Sequence, residues 1–139
     1  MPFTIVAFLW RKPGITPSEF KSHYETVHIP LIVSLVGQSF PLSHSRFYLR
    51  REIQAESPSD TTNTNHPPTV FAGTTNDFDY DVYCMLTFED KSAFETFIGR
   101  IRSPEVATKI TEDEENFLDR QTMKVAAVDE PVVTTRPSE

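Results

Sequence analysis

Cysteine, positive charge and long apolar runs are scarce in this chain, and each shortage excludes a class of protein. Cys84 is the single cysteine among 139 residues, so an internal disulfide cannot form and a reducing compartment is favoured. Thirteen basic against twenty acidic side chains leave a formal charge of -7, which argues against nucleic acid and anionic membranes as partners. The first apolar run stops at Trp10 and has no basic leader, unlike a signal peptide or spanning helix. We therefore expect a cytoplasmic protein.

Apolar and aromatic residues, by contrast, are plentiful. Hydrophobic residues make up 38% of the chain and aromatic residues 12%, which is typical of a globular protein. A chain of 139 residues can build one core but not two independent ones. The composition predicts one domain over residues 1–130, with a long polar loop over residues 54–77, and a disordered tail over residues 131–139.

Strand and helix patterns follow one another in the order βαββαβ. The predicted strands are Phe3–Trp10, Ser43–Ile53, Phe78–Phe88 and Thr122–Val128. The first helix starts with a capping box, Thr16 and Glu19 around Pro17, and ends at Gly37. The later helices are predicted over Ala93–Arg100 and from Ser103 to about Leu118. This order is typical of an α+β, ferredoxin-like fold, with a four-stranded antiparallel sheet and helices on one face.

The first and third strands are apolar on both faces, whereas the helices of such a fold cover only one face. A second copy of the same sheet is the economical way to cover the other face. We therefore predict a homodimer whose sheets pack face to face.

The segment Y-E-T-V-H-I-P-L, Tyr24 to Leu31, places a proline inside the long first helix. Pro30 removes one helical hydrogen bond, and the resulting bend is expected to open space between helix and sheet. Tyr24 and His28 are four residues apart on the apolar face, so both side chains should face that space. There His28 would act as a general acid or base with Tyr24 as its partner; the alternative is a packed core histidine.

Polar residues on the second strand are candidates for contacts with a substrate. His44, Arg46 and Tyr48 share one face if the strand alternates regularly. Arg46 either binds a carboxylate through two hydrogen bonds or lies in solvent at the edge of the sheet.

Three further substrate-binding candidates lie on the first and third strands. Trp10 provides either a flat wall for an aromatic substrate or a core side chain. Asp81 and Tyr83 are predicted to share one face of the third strand. Asp81 would either orient a histidine, or lie in solvent, or form a structural hydrogen bond.

Signatures of bound metals and nucleotides are missing from the sequence. His23 lies five residues before His28, on another side of an α-helix, so the two are not expected to share a metal. We find no Cys/His cluster, phosphate loop or nucleotide fingerprint, and we expect neither metal nor cofactor. The acidic run Glu112–Glu115 is interpreted as a solvated helix face, and Cys84 as an inert buried thiol.

Two segments resemble the EthD family, one branch of the dimeric α/β-barrel proteins. The first is W-R-K-P-G-I-T-P-S-E-F-K-S-H-Y-E-T-V-H-I-P-L, from Trp10 to Leu31. The second is S-P-E-V-A-T-K-I-T-E-D-E-E-N-F-L-D-R, from Ser103 to Arg120, followed by a closing strand. The resemblance spans most of the chain outside the loop and the tail, and it implies the ferredoxin-like fold and the dimer.

The first segment is also similar to fungal members, which occur in aromatic polyketide pathways as decarboxylases or dehydratases of anthrone-type or related phenolic acids. This resemblance implies a cofactor-free lyase of secondary metabolism that acts on a small aromatic substrate. The alternatives are a non-catalytic dimer that binds small molecules, and a cofactor-free monooxygenase or cyclase of the same superfamily. Cyclases carry a catalytic histidine shortly after the proline that corresponds to Pro104, where this chain has E-V-A-T.

Overall fold

The computed structural model describes residues 1–52 and 66–138. Within these ranges one antiparallel sheet has the strand order β2-β3-β1-β4. Its strands are β1 (Phe3–Leu9), β2 (Ser43–Tyr48), β3 (Val82–Phe88) and β4 (Lys124–Val128). The α-helices are α1 (Pro17–His23), α2 (Ile29–Val36), α3 (Lys91–Ile101) and α4 (Pro104–Glu114). This α+β, ferredoxin-like arrangement confirms the predicted fold class.

Several elements are shorter than the sequence predicted. β3 begins at Val82 rather than Phe78, because Thr75–Phe78 form a 3-10 turn that is capped by Thr74. β2 ends at Tyr48, and the predicted end of this strand, Ile53, lies outside the described residues, as does the first half of the predicted loop, residues 54–65. Residues 131–138 carry no helix or strand and are exposed.

A π-helical turn, Tyr24–His28, joins α1 to α2 and is the form that the predicted bend takes. The Ile29 N–H donates to the Tyr24 carbonyl, five residues back instead of four. Pro30 follows in the first turn of α2, where a missing N–H costs little. Within this turn Tyr24 and His28 are buried, whereas Val27 is 44% exposed.

The core lies between the helices and one face of the sheet. Alternate residues of β1 and β3 supply the sheet side: Ile5, Ala7, Leu9, Val82, Cys84, Leu86 and Phe88. Aromatic side chains supply much of the helix side: Phe20, Tyr24, Phe97 and Phe117. The capping box holds α1 in place as predicted, with Thr16 Oγ1 accepting from the Glu19 N–H at 3.0 Å.

Asp81 lies just before β3 and forms a buried ion cluster with two arginines. Its Oδ1 is 2.5 Å from Arg11 Nη1 and 2.8 Å from Arg51 Nη2, and its Oδ2 accepts from the Arg11 N–H at 2.8 Å. The carboxylate therefore ties the end of β1 to the segment after β2, which is the structural alternative considered for this residue.

Asp81→Asn is expected to lower the free energy of unfolding by about 3 kcal/mol, because two buried guanidinium groups would then face a neutral amide. Urea denaturation at neutral pH measures the change. Asp79→Asn, at an exposed neighbouring position, is the matched control and should change the free energy by less than about 0.5 kcal/mol. Equal effects of the two substitutions would contradict the structural role of this cluster.

Candidate active site

A cavity of about 690 Å³ lies beneath the π turn, between the sheet and the helices. Its walls are mostly apolar and include Leu9, Ile32, Leu86, Phe94, Phe97, Ile110 and Val125. Polar side chains in its lining include Tyr24, His28, His44 and Glu114. This volume, and a mostly apolar lining with a few polar groups, are typical of sites for small organic molecules.

The imidazole of His28 lines this cavity and is only 6% exposed as a residue. Its Nδ1 lies 2.8 Å from Asp113 Oδ2, while its Nε2 lies 4.0 Å from Glu114 Oε2. An ionised carboxylate only accepts hydrogen bonds, so Nδ1 carries a proton. In the neutral imidazole, Nε2 therefore has the free lone pair and is the nitrogen that can exchange a proton with a ligand.

Asp113 binds two histidines at once. Its Oδ1 is 2.8 Å from His23 Nε2, on the opposite side of the carboxylate from His28. Burial acts to raise the pKa of Asp113, but the hydrogen bonds from His28 and His23 outweigh it and hold that pKa below its ordinary value. The carboxylate therefore stays ionised at neutral pH and fixes the orientation of the His28 ring.

The interpretation of Glu112–Glu115 as a solvated face is wrong for Asp113 and Glu114, whose side chains are 11% and 14% exposed. Asp113 follows the buried Ile110 by three residues and precedes the buried Phe117 by four. Residues at this spacing lie on one face of a helix, so the sequence could have predicted that Asp113 faces inward. His23 was also missed as a member of the site, because the π turn brings residues five apart to the same carboxylate.

Tyr24 supplies a second polar point in the cavity. Its hydroxyl lies 3.4 Å from His44 Nε2 and 3.4 Å from Cys84 Sγ. Burial, followed by the neighbouring Cys84, raises the pKa of Tyr24 well above its ordinary value, so the hydroxyl keeps its proton. Burial also raises the pKa of Cys84 to about 11, which agrees with an inert thiol.

His44, Arg46 and Tyr48 share the inner side of β2, as predicted, but only His44 of the three lines the cavity. Arg46 donates to Glu25 through Nε at 2.6 Å and Nη2 at 3.1 Å, and to His44 Nδ1 through Nη1 at 2.9 Å. The Tyr48 hydroxyl donates to the same Glu25 carboxylate at 2.5 Å. Arg46 therefore binds a carboxylate of this chain, an alternative that the sequence analysis did not consider.

Trp10, Asp81 and Tyr83 do not line this cavity, so the structure does not bring them together with His28. Trp10 and Tyr83 alternate with cavity-lining residues of β1 and β3 and therefore lie on the outer face of the sheet. There Tyr83 stacks on Phe47 at a centroid distance of 4.8 Å. The predicted common face of Asp81 and Tyr83 is wrong, because Asp81 precedes the strand and turns to the buried arginines.

His44 makes the stability of the fold depend on pH. Burial, followed by the charge of Arg46, lowers the pKa of His44 from 6.5 to about 4. As pH falls from 6.5 towards 4, His44 is protonated in the unfolded chain but stays neutral in the folded chain. The free energy of unfolding therefore falls. The loss is at most about 1.4 kcal/mol per pH unit within this window.

His44→Gln should remove this pH-dependent part, since glutamine does not titrate. Urea denaturation at several pH values between 7 and about 4 compares the variant with the wild-type chain. The carboxylates Asp113 and Glu25 titrate in both proteins, so the difference between the two curves isolates His44. Parallel curves would contradict a neutral His44 in the folded protein.

A family model for the EthD domain matches residues 12–121 of the chain. The chain belongs to the EthD family. This membership confirms the resemblance given by the sequence, and the matched range includes Tyr24, His28, His44 and Asp113. Among the described residues, no helix of this EthD protein is long and apolar enough to cross a membrane, and no group of three His, Cys, Asp or Glu side chains is arranged to hold a metal ion.

Solved structures share the fold at low sequence identity. An ethyl tert-butyl ether D family protein from Bacillus halodurans is 15% identical, with a TM-score of 0.52 over 94% of this chain and 100% of that one. An EthD-like protein from Ralstonia eutropha is 13% identical, with a TM-score of 0.51 over 97% and 95%. At3g17210 from Arabidopsis thaliana is 14% identical, with a TM-score of 0.53 over 96% and 99%. No curated protein matches the sequence.

Proposed function

We propose that this EthD protein is a cytoplasmic, cofactor-free lyase that acts by general acid/base catalysis on a hydroxyaryl polyketide of secondary metabolism. The reaction is loss of carbon dioxide or of water. The observation that carries the proposal is the environment of His28. One ring nitrogen is hydrogen-bonded to Asp113, and the ring lines an apolar cavity of about 690 Å³. A histidine that served only for packing would not need such a cavity beside it.

The same side chains fit both reactions. In decarboxylation, His28 as its imidazolium gives a proton to the ring carbon that bears the carboxylate, and Tyr24 holds a phenolic oxygen. In dehydration, neutral His28 removes a C–H proton, and the departing hydroxyl leaves with a proton as water. Proton transfer by a positioned side chain contributes about 100- to 10,000-fold to the rate.

The test is incubation of the 139-residue protein with hydroxyaryl carboxylic acids and with aryl β-hydroxy ketones. Mass spectrometry is expected to detect loss of the mass of carbon dioxide or of water from at least one compound. Tight binding without any change of mass would contradict the proposal and indicate a binding protein. Oxygen uptake with gain of an oxygen atom would contradict it in favour of a monooxygenase.

We further propose that two copies pack through the outer faces of their sheets. The support is an aromatic cluster on that face, where Phe8 and Phe47 flank Tyr83 at centroid distances of 6.0 and 4.8 Å. Phe47 is 44% exposed in the single chain although it belongs to this cluster. Such a surface is apolar enough to need a cover.

Light scattering coupled to size exclusion should give the mass of two chains for the wild-type protein and of one chain for Phe47→Glu. Phe71→Glu is the matched control, because Phe71 is 98% exposed and lies outside the strands. This control should remain dimeric. A single-chain mass for the wild-type protein would contradict the dimer without touching the lyase proposal.

A further inference from the structure

A chain of hydrogen bonds runs from Glu25 through Arg46 and His44 to Tyr24, and its direction follows from chemistry. A guanidinium group has only donors, so His44 Nδ1, 2.9 Å from Arg46 Nη1, must be the acceptor. Glu25 holds that guanidinium in place through two of its nitrogens. His44 is therefore a neutral imidazole whose proton lies on Nε2.

The tautomer of His44 determines the direction of the hydrogen bonds that the Tyr24 hydroxyl makes. His44 Nε2 lies 3.4 Å from the Tyr24 oxygen and, as the protonated nitrogen, donates to it. Tyr24 must then use its own O–H towards another acceptor. Within the described residues that acceptor is Cys84 Sγ at 3.4 Å, and sulfur accepts hydrogen bonds weakly. Because the sulfur accepts weakly, an oxygen atom of a ligand in the cavity can replace it as the acceptor of the Tyr24 hydroxyl.

We propose that Tyr24 is the oxygen-recognising donor of this site, selects ligands with a ketone oxygen, and stabilises the enolate that forms when His28 removes the neighbouring C–H proton. This inference rests on the proposed function and names its substrate class, an aryl β-hydroxy ketone. Glu25, Arg46 and His44 are positioning residues, since they act through Tyr24. The rings of Tyr24 and His28 lie 5.8 Å apart between centroids, so one small group can contact both.

The reaction balances with these groups alone. His28 Nε2 takes the proton from the carbon next to the ketone. The C–H electron pair forms the carbon–carbon double bond of the enolate, and the π pair of the C=O bond moves to the oxygen, which accepts the Tyr24 hydrogen bond. The enolate then re-forms the ketone and expels the β-hydroxyl, which leaves as water with the proton from His28. The products are an enone and water, and His28 is neutral again.

The direction of the hydrogen bonds favours loss of water over loss of carbon dioxide. Protonation of a phenol ring withdraws electron density from the phenolic oxygen, so a donor at that oxygen opposes this step. Enolisation moves negative charge onto the ketone oxygen, where a donor in an apolar site stabilises it. A fixed donor beside a base is therefore suited to elimination.

The test uses 1-tetralone, an aryl ketone with neither a carboxylate nor a leaving group, in deuterium oxide. Proton NMR follows deuterium entry at the carbon next to the ketone. The wild-type protein should accelerate exchange over buffer, and Tyr24→Phe should slow the catalysed exchange by about 100-fold. His44→Leu, which removes the donor to Tyr24, should slow it by about 10-fold, while His44→Gln, which keeps an N–H in that place, should restore most of the rate.

Circular dichroism checks that each variant folds. If Tyr24→Phe does not fold, the comparison of His44→Leu with His44→Gln still tests the inference. No catalysed exchange by the wild-type protein, an unchanged rate in Tyr24→Phe, or equal rates in His44→Leu and His44→Gln would each overturn the inference. Loss of carbon dioxide from hydroxyaryl acids without ketone exchange would overturn it and leave the lyase proposal standing. Failure of the lyase proposal itself appears as unchanged masses across both compound classes.

Discussion

His28→Asn is expected to lower kcat by about 100- to 10,000-fold, with a much smaller change in KM. Asparagine retains an amide that can hydrogen-bond to Asp113, so the helix and the carboxylate should keep their places. What disappears is Nε2, the nitrogen that takes or gives the proton in the cavity. Because that proton moves only in the reaction, the loss belongs in kcat rather than in binding.

Steady-state kinetics on a compound that the wild-type protein converts measures this effect. His66→Asn is the matched control, since His66 does not line the cavity, and its kcat should stay within about twofold of wild type. A His28→Asn enzyme with unchanged kcat would remove His28 from the chemistry. A rise in KM at constant kcat would mean that His28 only binds the substrate.

Asp113→Asn is the second change with a large expected effect, about 100- to 10,000-fold in kcat. The carboxylate forces the proton of His28 onto Nδ1, whereas an asparagine amide can donate to Nδ1 and so favour the other tautomer. In that tautomer Nε2 carries the proton and cannot act as a base. The His28 ring keeps its position, but its Nε2 no longer has a free lone pair to accept a proton.

Two neighbours in the same acidic run provide controls for Asp113. Glu112 and Glu115 are exposed, and their substitution by glutamine should leave kcat within about twofold of wild type. The pH profile of kcat distinguishes orientation from mere packing, because a changed tautomer alters the limb that reports the base. An Asp113→Asn profile that is lower but unchanged in shape would indicate loss of folded protein instead.

Local patterns were enough to predict the order of elements and the position of Tyr24 and His28. The capping box at Thr16 and Glu19 and the helical spacing of Phe20, Tyr24 and His28 depend on neighbours a few residues away. Gly37 ends α2 at a φ of 54°, a conformation that glycine adopts readily.

Two features could not be predicted from the sequence. One is the π-helical turn at Tyr24–His28, and the other is which face of the sheet meets the helices. In an ideal α-helix His23 and His28 diverge, but the π turn brings both to Asp113. A proline at position 30 indicates an interruption of the helix but does not specify that the interruption is a π-helical turn. Strands that are apolar on both faces do not reveal which face meets the helices, so Trp10 and Tyr83 were assigned to the site although they lie on the other side.

Nitrogen-15 NMR of the histidine side chains tests the central claim most directly, because it reports which imidazole nitrogen carries the proton. At neutral pH without ligand, we predict a proton on His28 Nδ1. Addition of 1-tetralone should perturb the Nε2 resonance, and Asp113→Asn should reverse the tautomer. A proton on Nε2 in the wild-type protein, or an Nε2 resonance indifferent to the ketone, would contradict this claim.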